Sequence, residues 1–163
     1  MKKLIYAAAL TFASITSVSP AWATGVPGDA RVPHTVRSAI NPNSNRYQSA
    51  HFYFTVHVAG RSLSQLVINP PEGIRLSKSI EMTDQSGKKL DATVSLEGGK
   101  AIVSLAQPVA PETILEIDMK EIRLPGYSQT WLFTVSSKLE GLNTEIPLGV
   151  VRFNPPSSDG SMS

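Results

Sequence analysis

Three histidines and a run of strand carboxylates are the groups in this chain best suited to hold a metal ion or move a proton. His51 and His57 fall on one parity of the segment AHFYFTVHVA, residues 50–59, so they project from the same face of an extended strand. Six residues at about 3.3 Å each set them roughly 20 Å apart, too far to share one ion. His34 lies upstream and can join one of them, which gives two nitrogen ligands at most. The chain has no Cys, so no thiolate completes the set, and no metal ligand is assigned. Glu116 and Asp118 also share a face, about 7 Å apart by strand geometry, within the range of glycosidase carboxylate pairs. Lys120 on that face offsets them, and no aromatic cluster gathers around them to hold a sugar, so no catalytic residue is assigned either. Phe52, Phe54, Trp131 and Phe133 offer an aromatic platform on paper, yet each alternates with other residues along a strand, which is the pattern of a core. A nucleophile elbow, a phosphate-binding loop and a zinc-protease helix motif are all missing. Gly87-Lys88-Lys89 is a charged turn. The expectation is a protein with no enzymatic activity and no cofactor.

The elements that carry these residues are strands. Residues 101–136 organise the rest, with a strand, a turn, a second strand, a Pro-Gly turn and a third strand in succession. Leu115, Ile117 and Met119 alternate with Glu116, Asp118 and Lys120; Trp131, Phe133 and Val135 alternate with Leu132, Thr134 and Ser136. A half-buried antiparallel strand requires this period of two. Pro108 and Pro111 lack an amide donor and are expected to bracket a turn. Ile122 takes the polar parity after Glu121, which predicts a bulge. Upstream, strands are expected near 35–40, over 50–59 and 63–69, briefly at 74–76, and over 80–83 and 90–96. Gly98-Gly99 between 90–96 and 101–106 is a hairpin signal, because both residues take positive φ readily. A last strand covers 148–153. Eight or nine short strands with no helix predict an immunoglobulin-like antiparallel β-sandwich, with an open β-barrel as the alternative.

The opening MKKLIYAAALTFASITSVSPAWA reads as a signal peptide. It has a basic start at Lys2 and Lys3, a short apolar stretch, a breaking Pro20 and the small-x-small site Ala21-Trp22-Ala23. Its removal takes two lysines and leaves thirteen basic against thirteen acidic residues. A net charge of zero gives no basis for nucleic-acid binding. The domain organisation expected is a signal peptide at 1–23, a Pro-rich arm at 24–48, a sandwich at 49–155 and a disordered tail at 156–163. The protein is then periplasmic or extracellular, exported by the general secretory route.

From Val36 to Phe153 the chain resembles a family of secreted cyanobacterial proteins known as domain of unknown function 2808. The residues that carry the resemblance are FYFTVHV, the Leu-Val-Ile strand after it, AQPVAPET, RLPGYSQTWLFTV and the closing PLGVVRF. Asn154-Pro155 departs from the aromatic-acidic ending expected of the family, and Gly126-Tyr127-Ser128 stands where a Gly-rich turn is usual. The resemblance implies a secreted all-β domain and no assigned activity. The run from Val109 to Val135 is also similar to the closing hairpin of periplasmic copper carriers of the copper-resistance type. The loop that bears an Asp-Gly-His motif there is Leu124-Pro125-Gly126-Tyr127-Ser128 here, without His or carboxylate.

These readings point to a secreted, non-catalytic structural or interaction module of the bacterial cell envelope. An extracytoplasmic module binding a glycan or a metal ion is the alternative, and the partner expected is an envelope protein or a glycan. The exported protein should begin at Thr24. Mass analysis of its N-terminus checks this, and retention of residues 1–23 would refute the signal-peptide reading.

Overall fold

A computed structural model describes residues 32–41, 50–125 and 130–154. The expected signal peptide, most of the expected arm (residues 24–31 and 42–48), the expected turn residues 126–129 and the expected C-terminal tail lie outside the described residues. Among the described residues nine strands appear in order: β1 His34–Asn41, β2 Ala50–His57, β3 Leu63–Asn69, β4 Ile80–Asp84, β5 Ala92–Glu97, β6 Lys100–Val109, β7 Ile114–Ile122, β8 Trp131–Leu139 and β9 Ile146–Phe153. They form two antiparallel sheets, one of order β1-β2-β7-β4 and one of order β5-β6-β3-β8-β9. The fold is a β-sandwich with no closed barrel, so the open-barrel alternative falls. Among the described residues no helix is long and apolar enough to cross a membrane.

Alternation decides which residues the sheets enclose. Phe52, Phe54 and Val56 of β2 and Leu115, Ile117 and Met119 of β7 point inward from the four-stranded sheet and are buried. Leu66 and Ile68 of β3, Ala101 and Val103 of β6, Trp131, Phe133 and Val135 of β8, and Val151 and Phe153 of β9 meet them from the other sheet. The densest part is aromatic. Phe52 sits with its ring centroid 4.6 Å from Phe153, 5.6 Å from Phe133 and 6.0 Å from Trp131, mostly edge to face, the geometry that aromatic quadrupoles favour. The four residues expected to be core or platform are therefore core.

One side of the sandwich is sealed. β1 packs against β9, and the Ser38 hydroxyl donates to the Arg152 carbonyl at 2.6 Å. The strand expected near 35–40 is thus a full edge strand of the first sheet, so that sheet begins before residue 49. On the opposite side β4 and β5 lie across from each other with little direct packing.

Other departures from the sequence reading are local. Pro108 lies inside β6 rather than in a turn. Leu63 faces Val109 and Gln65 faces Ser104, so Ser64 alone stands opposite the four residues 105–108. The proline occupies this bulge, where no ladder bond to β3 is required of it. The brief strand at 74–76 is a single bridge, Arg75 to Arg123. The strand expected at 90–96 starts at Ala92, because Lys89 and Leu90 pair back onto β4. The bulge near Ile122 is present: Ala50 pairs with Ile122 and Phe52 with Met119, Glu121 takes φ 56°, and Ile122 returns to the core. Gly98 and Gly99 take φ 56° and 85° in a two-residue hairpin.

Trp131 is 4 % exposed, and its indole Nε1 has no hydrogen-bond partner among the described residues. Its contribution is therefore packing. Trp131→Ala should cost roughly 3–5 kcal/mol. Trp131→Phe, which forfeits no hydrogen bond, should cost clearly less. Urea unfolding of both variants checks this; equal losses would show that the indole N–H matters.

Candidate functional site

Period-two alternation sends the polar residues of β2, β4 and β7 to the outer face of the four-stranded sheet. There the register places Tyr53 beside Asp118 and Asp118 beside Glu81 in one row, and Thr55, Glu116 and Thr83 in the next. The carboxylates that the fold brings together are thus Asp118 and Glu81, from different strands, rather than Asp118 and Glu116 along one strand. Like charges directly across a sheet repel, and lysines resolve the conflict. The Lys120 ammonium lies 2.9 Å from Glu81 Oε2 and 3.7 Å from Asp118 Oδ2, and Lys89 Nζ is 3.0 Å from Glu81 Oε1. His51 Nδ1 is 3.7 Å from Asp118 Oδ1.

The electrostatics of the two carboxyls differ. Hydrogen bonds from Lys120 and Lys89 hold Glu81 below the usual carboxylate range. Asp118, whose side chain is 19 % exposed, is pushed up by desolvation, which outweighs its attraction to Lys120 and His51. Its Oδ1 is buried without a hydrogen bond. The arrangement neutralises charge. Both Asp118 oxygens face cationic or ionisable neighbours, and neither is presented free to a substrate.

His34 and His57 are cross-strand partners with ring centroids 5.2 Å apart. His57 Nε2 is 3.4 Å from Glu112 Oε2, on a turn residue held at φ 65°. His51 stands at the far end of β2 from this pair. Among the described residues no three His, Asp or Glu side chains gather as metal ligands. The sequence reading foresaw the His34 approach and missed Glu81, Lys89 and Tyr53. Alternation marks Glu81 and Tyr53 as outward-facing, but no local signal says that both strands flank β7.

The open side of the sandwich holds the other candidate. A groove of about 350 Å³ runs between β4 and β5, lined by Lys78, Ser79, Ile80, Glu81, Lys89, Leu90, Ala92 and Val94. Its lining is apolar at Ile80, Leu90, Ala92 and Val94 and charged at Lys78, Glu81 and Lys89. The chain crosses from one sheet to the other here. Asp84 Oδ1 accepts from the Ser86 and Lys88 amides, and the Asp84 amide donates to the Lys88 carbonyl at 3.0 Å. The Leu90 amide then donates to the Met82 carbonyl at 2.9 Å.

The raised Asp118 carboxyl sets a pH dependence. Its folded-state pKa lies above its unfolded value, so its contribution to stability is fully present below the unfolded pKa. That contribution is lost as pH rises through the folded pKa. Asp118→Asn stays neutral throughout. Its stability relative to the parent should therefore rise from acid to neutral pH. Melting temperatures measured at pH 3, 5 and 7 check this; a relative stability that falls across the series would show that the ion pairs outweigh the desolvation.

Comparison with solved structures gives the same architecture at low identity. The RrgA Jo.In complex aligns with a TM-score of 0.52 at 12 % identity, over 78 % of this chain and 83 % of that one. The N-terminal domain of a Streptococcus gordonii adhesin aligns at 0.54 and 17 %, over 78 % of this chain and 33 % of that one. An exo-β-N-acetylglucosaminidase from Vibrio harveyi aligns at 0.50 and 8 %, over 77 % of this chain but only 19 % of the enzyme. These likenesses show the fold. A search of curated proteins finds no match. Residues 28–154 match the family described as Protein of unknown function (DUF2808), and the chain belongs to that family.

Proposed function

We propose that this protein is a non-catalytic interaction module of the bacterial cell envelope that recruits a protein partner. One observation carries the reading: a sandwich sealed on one side by β1 and β9 is left open on the other at β5 and the groove beside it. An exposed, uncapped strand edge is a ready site for protein association. Two further features support it. The first 23 residues have the form of an export signal, and the fold is shared with an adhesin domain. The polar face of the other sheet is self-neutralised, which suits a scaffold better than acid–base chemistry. The glycan alternative loses its platform, because Phe52, Phe54, Trp131 and Phe133 are all core.

A photo-cross-linker at Ser95, on β5, should capture a discrete protein from the envelope of the source cells, while one at Thr134, on the far side of the same sheet, should not. Two results would overturn the reading: capture at neither position, or glycan hydrolysis by the purified chain that is lost in Asp118→Asn.

A further inference from the structure

The four sheet edges among the described strands are not equally protected. β1 and β9 cover each other, and each has a break in register. β9 also carries Pro147, and Gly149 at φ 121°. β4 is capped by its own returning chain, through the bonds of Asp84 to Lys88 and Leu90 to Met82. β5 has none of these devices. It pairs only with β6, in an unbroken register from Ala92 to Glu97, and its sequence ATVSLE contains no Lys, Arg or Pro. Natural sheets blunt their edges with charge, proline, bulges or cover, and β5 alone goes without cover or bulge.

The inward side of β5 is also unfinished. Ala92 and Val94 are only partly buried, and Leu96 is 39 % exposed. With Leu90 they leave apolar surface partly exposed beside the β5 edge, over the buried Ile80. A strand added beside β5 would place alternate side chains over that surface while its backbone pairs with the free edge.

Charge selects the occupant. The groove lining has two lysines, Lys78 and Lys89, and one carboxylate, Glu81. Glu81 is already shared between Lys89 and Lys120, and nearby Glu121 accepts from the Ser79 hydroxyl. Lys78 is exposed and has no ion pair among the described residues. Lys78 is thus the charge of the lining left without a counter-ion among the described residues.

We propose that the β5 edge and its groove receive an extended acidic peptide of a partner protein, added as a sixth strand to the five-stranded sheet, its alternate apolar side chains lying on Leu90, Ala92 and Val94 and a carboxylate beside Lys78. This rests on the interaction reading above and gives it a mode and a partner chemistry.

The test uses the whole exported chain and two dye-labelled nine-residue peptides that alternate valine with threonine, one carrying two glutamates and the other two lysines. Fluorescence anisotropy should show saturable binding of the glutamate peptide, with the lysine peptide at least about tenfold weaker, a difference of roughly 1.4 kcal/mol. Lys78→Glu should weaken the glutamate peptide and strengthen the lysine one. Leu96→Lys, at an exposed position, should abolish both while Trp131 emission shows that the fold is kept. Equal binding of both peptides, or none, would overturn the proposal. So would a concentration-dependent dimer lost in Leu96→Lys, which would assign the edge to a second copy. The envelope cross-link separates the two readings: capture that survives Leu96→Lys leaves the interaction module standing and removes strand addition.

Discussion

The contact on which the structure turns is the insertion of Phe52 between Trp131, Phe133 and Phe153. Phe52 comes from one sheet and the other three from its opposite, so this cluster joins the layers where each would otherwise expose aromatic surface. Such pairs contribute about 0.5–1.5 kcal/mol each beyond the area they bury. The cluster also sets parity. With Phe52 inward, His51, Tyr53 and Thr55 have no choice but the outer face, because a slip of one residue would turn the whole strand over. The polar chemistry of that face is a consequence of where one phenyl ring goes.

Much of this was legible in the sequence because alternation is local. The inward residues of 50–59, 114–122 and 131–136, the Gly98-Gly99 hairpin and the bulge before Ile122 each follow from neighbours along the chain. The order of strands does not. Tyr53, Asp118 and Glu81 share a row only because β7 lies between β2 and β4, a long-range choice made by packing. Pro108 misled for a related reason: a missing amide excludes a residue from a ladder bond, yet a bulge lifts that requirement. The open groove was invisible, since it depends on which strand is left at an edge rather than on what any strand contains.

The outer face of the four-stranded sheet shows how a sheet tolerates carboxylates opposite one another. Glu81 and Asp118 would repel across the ladder, and Lys120, two residues along from Asp118, reaches both. The same geometry that suggests a catalytic pair in a one-dimensional reading becomes, in three dimensions, a small neutral network. Its one imbalance is the desolvated Asp118, whose proton is held more tightly than an exposed aspartate would hold it.

The seam between β1 and β9 has a kinetic meaning. Ser38 meets Arg152 across 114 positions of sequence, so the first and last described strands close the sandwich together. Pairings at such separations must absorb a large loop-closure entropy before they return any stability, and chains dominated by them fold on scales of about milliseconds to seconds. Until β9 is synthesised, β1 has no partner across the layers, and the sandwich stays open at both sides. Here the topology itself delays completion until the C-terminal strand arrives.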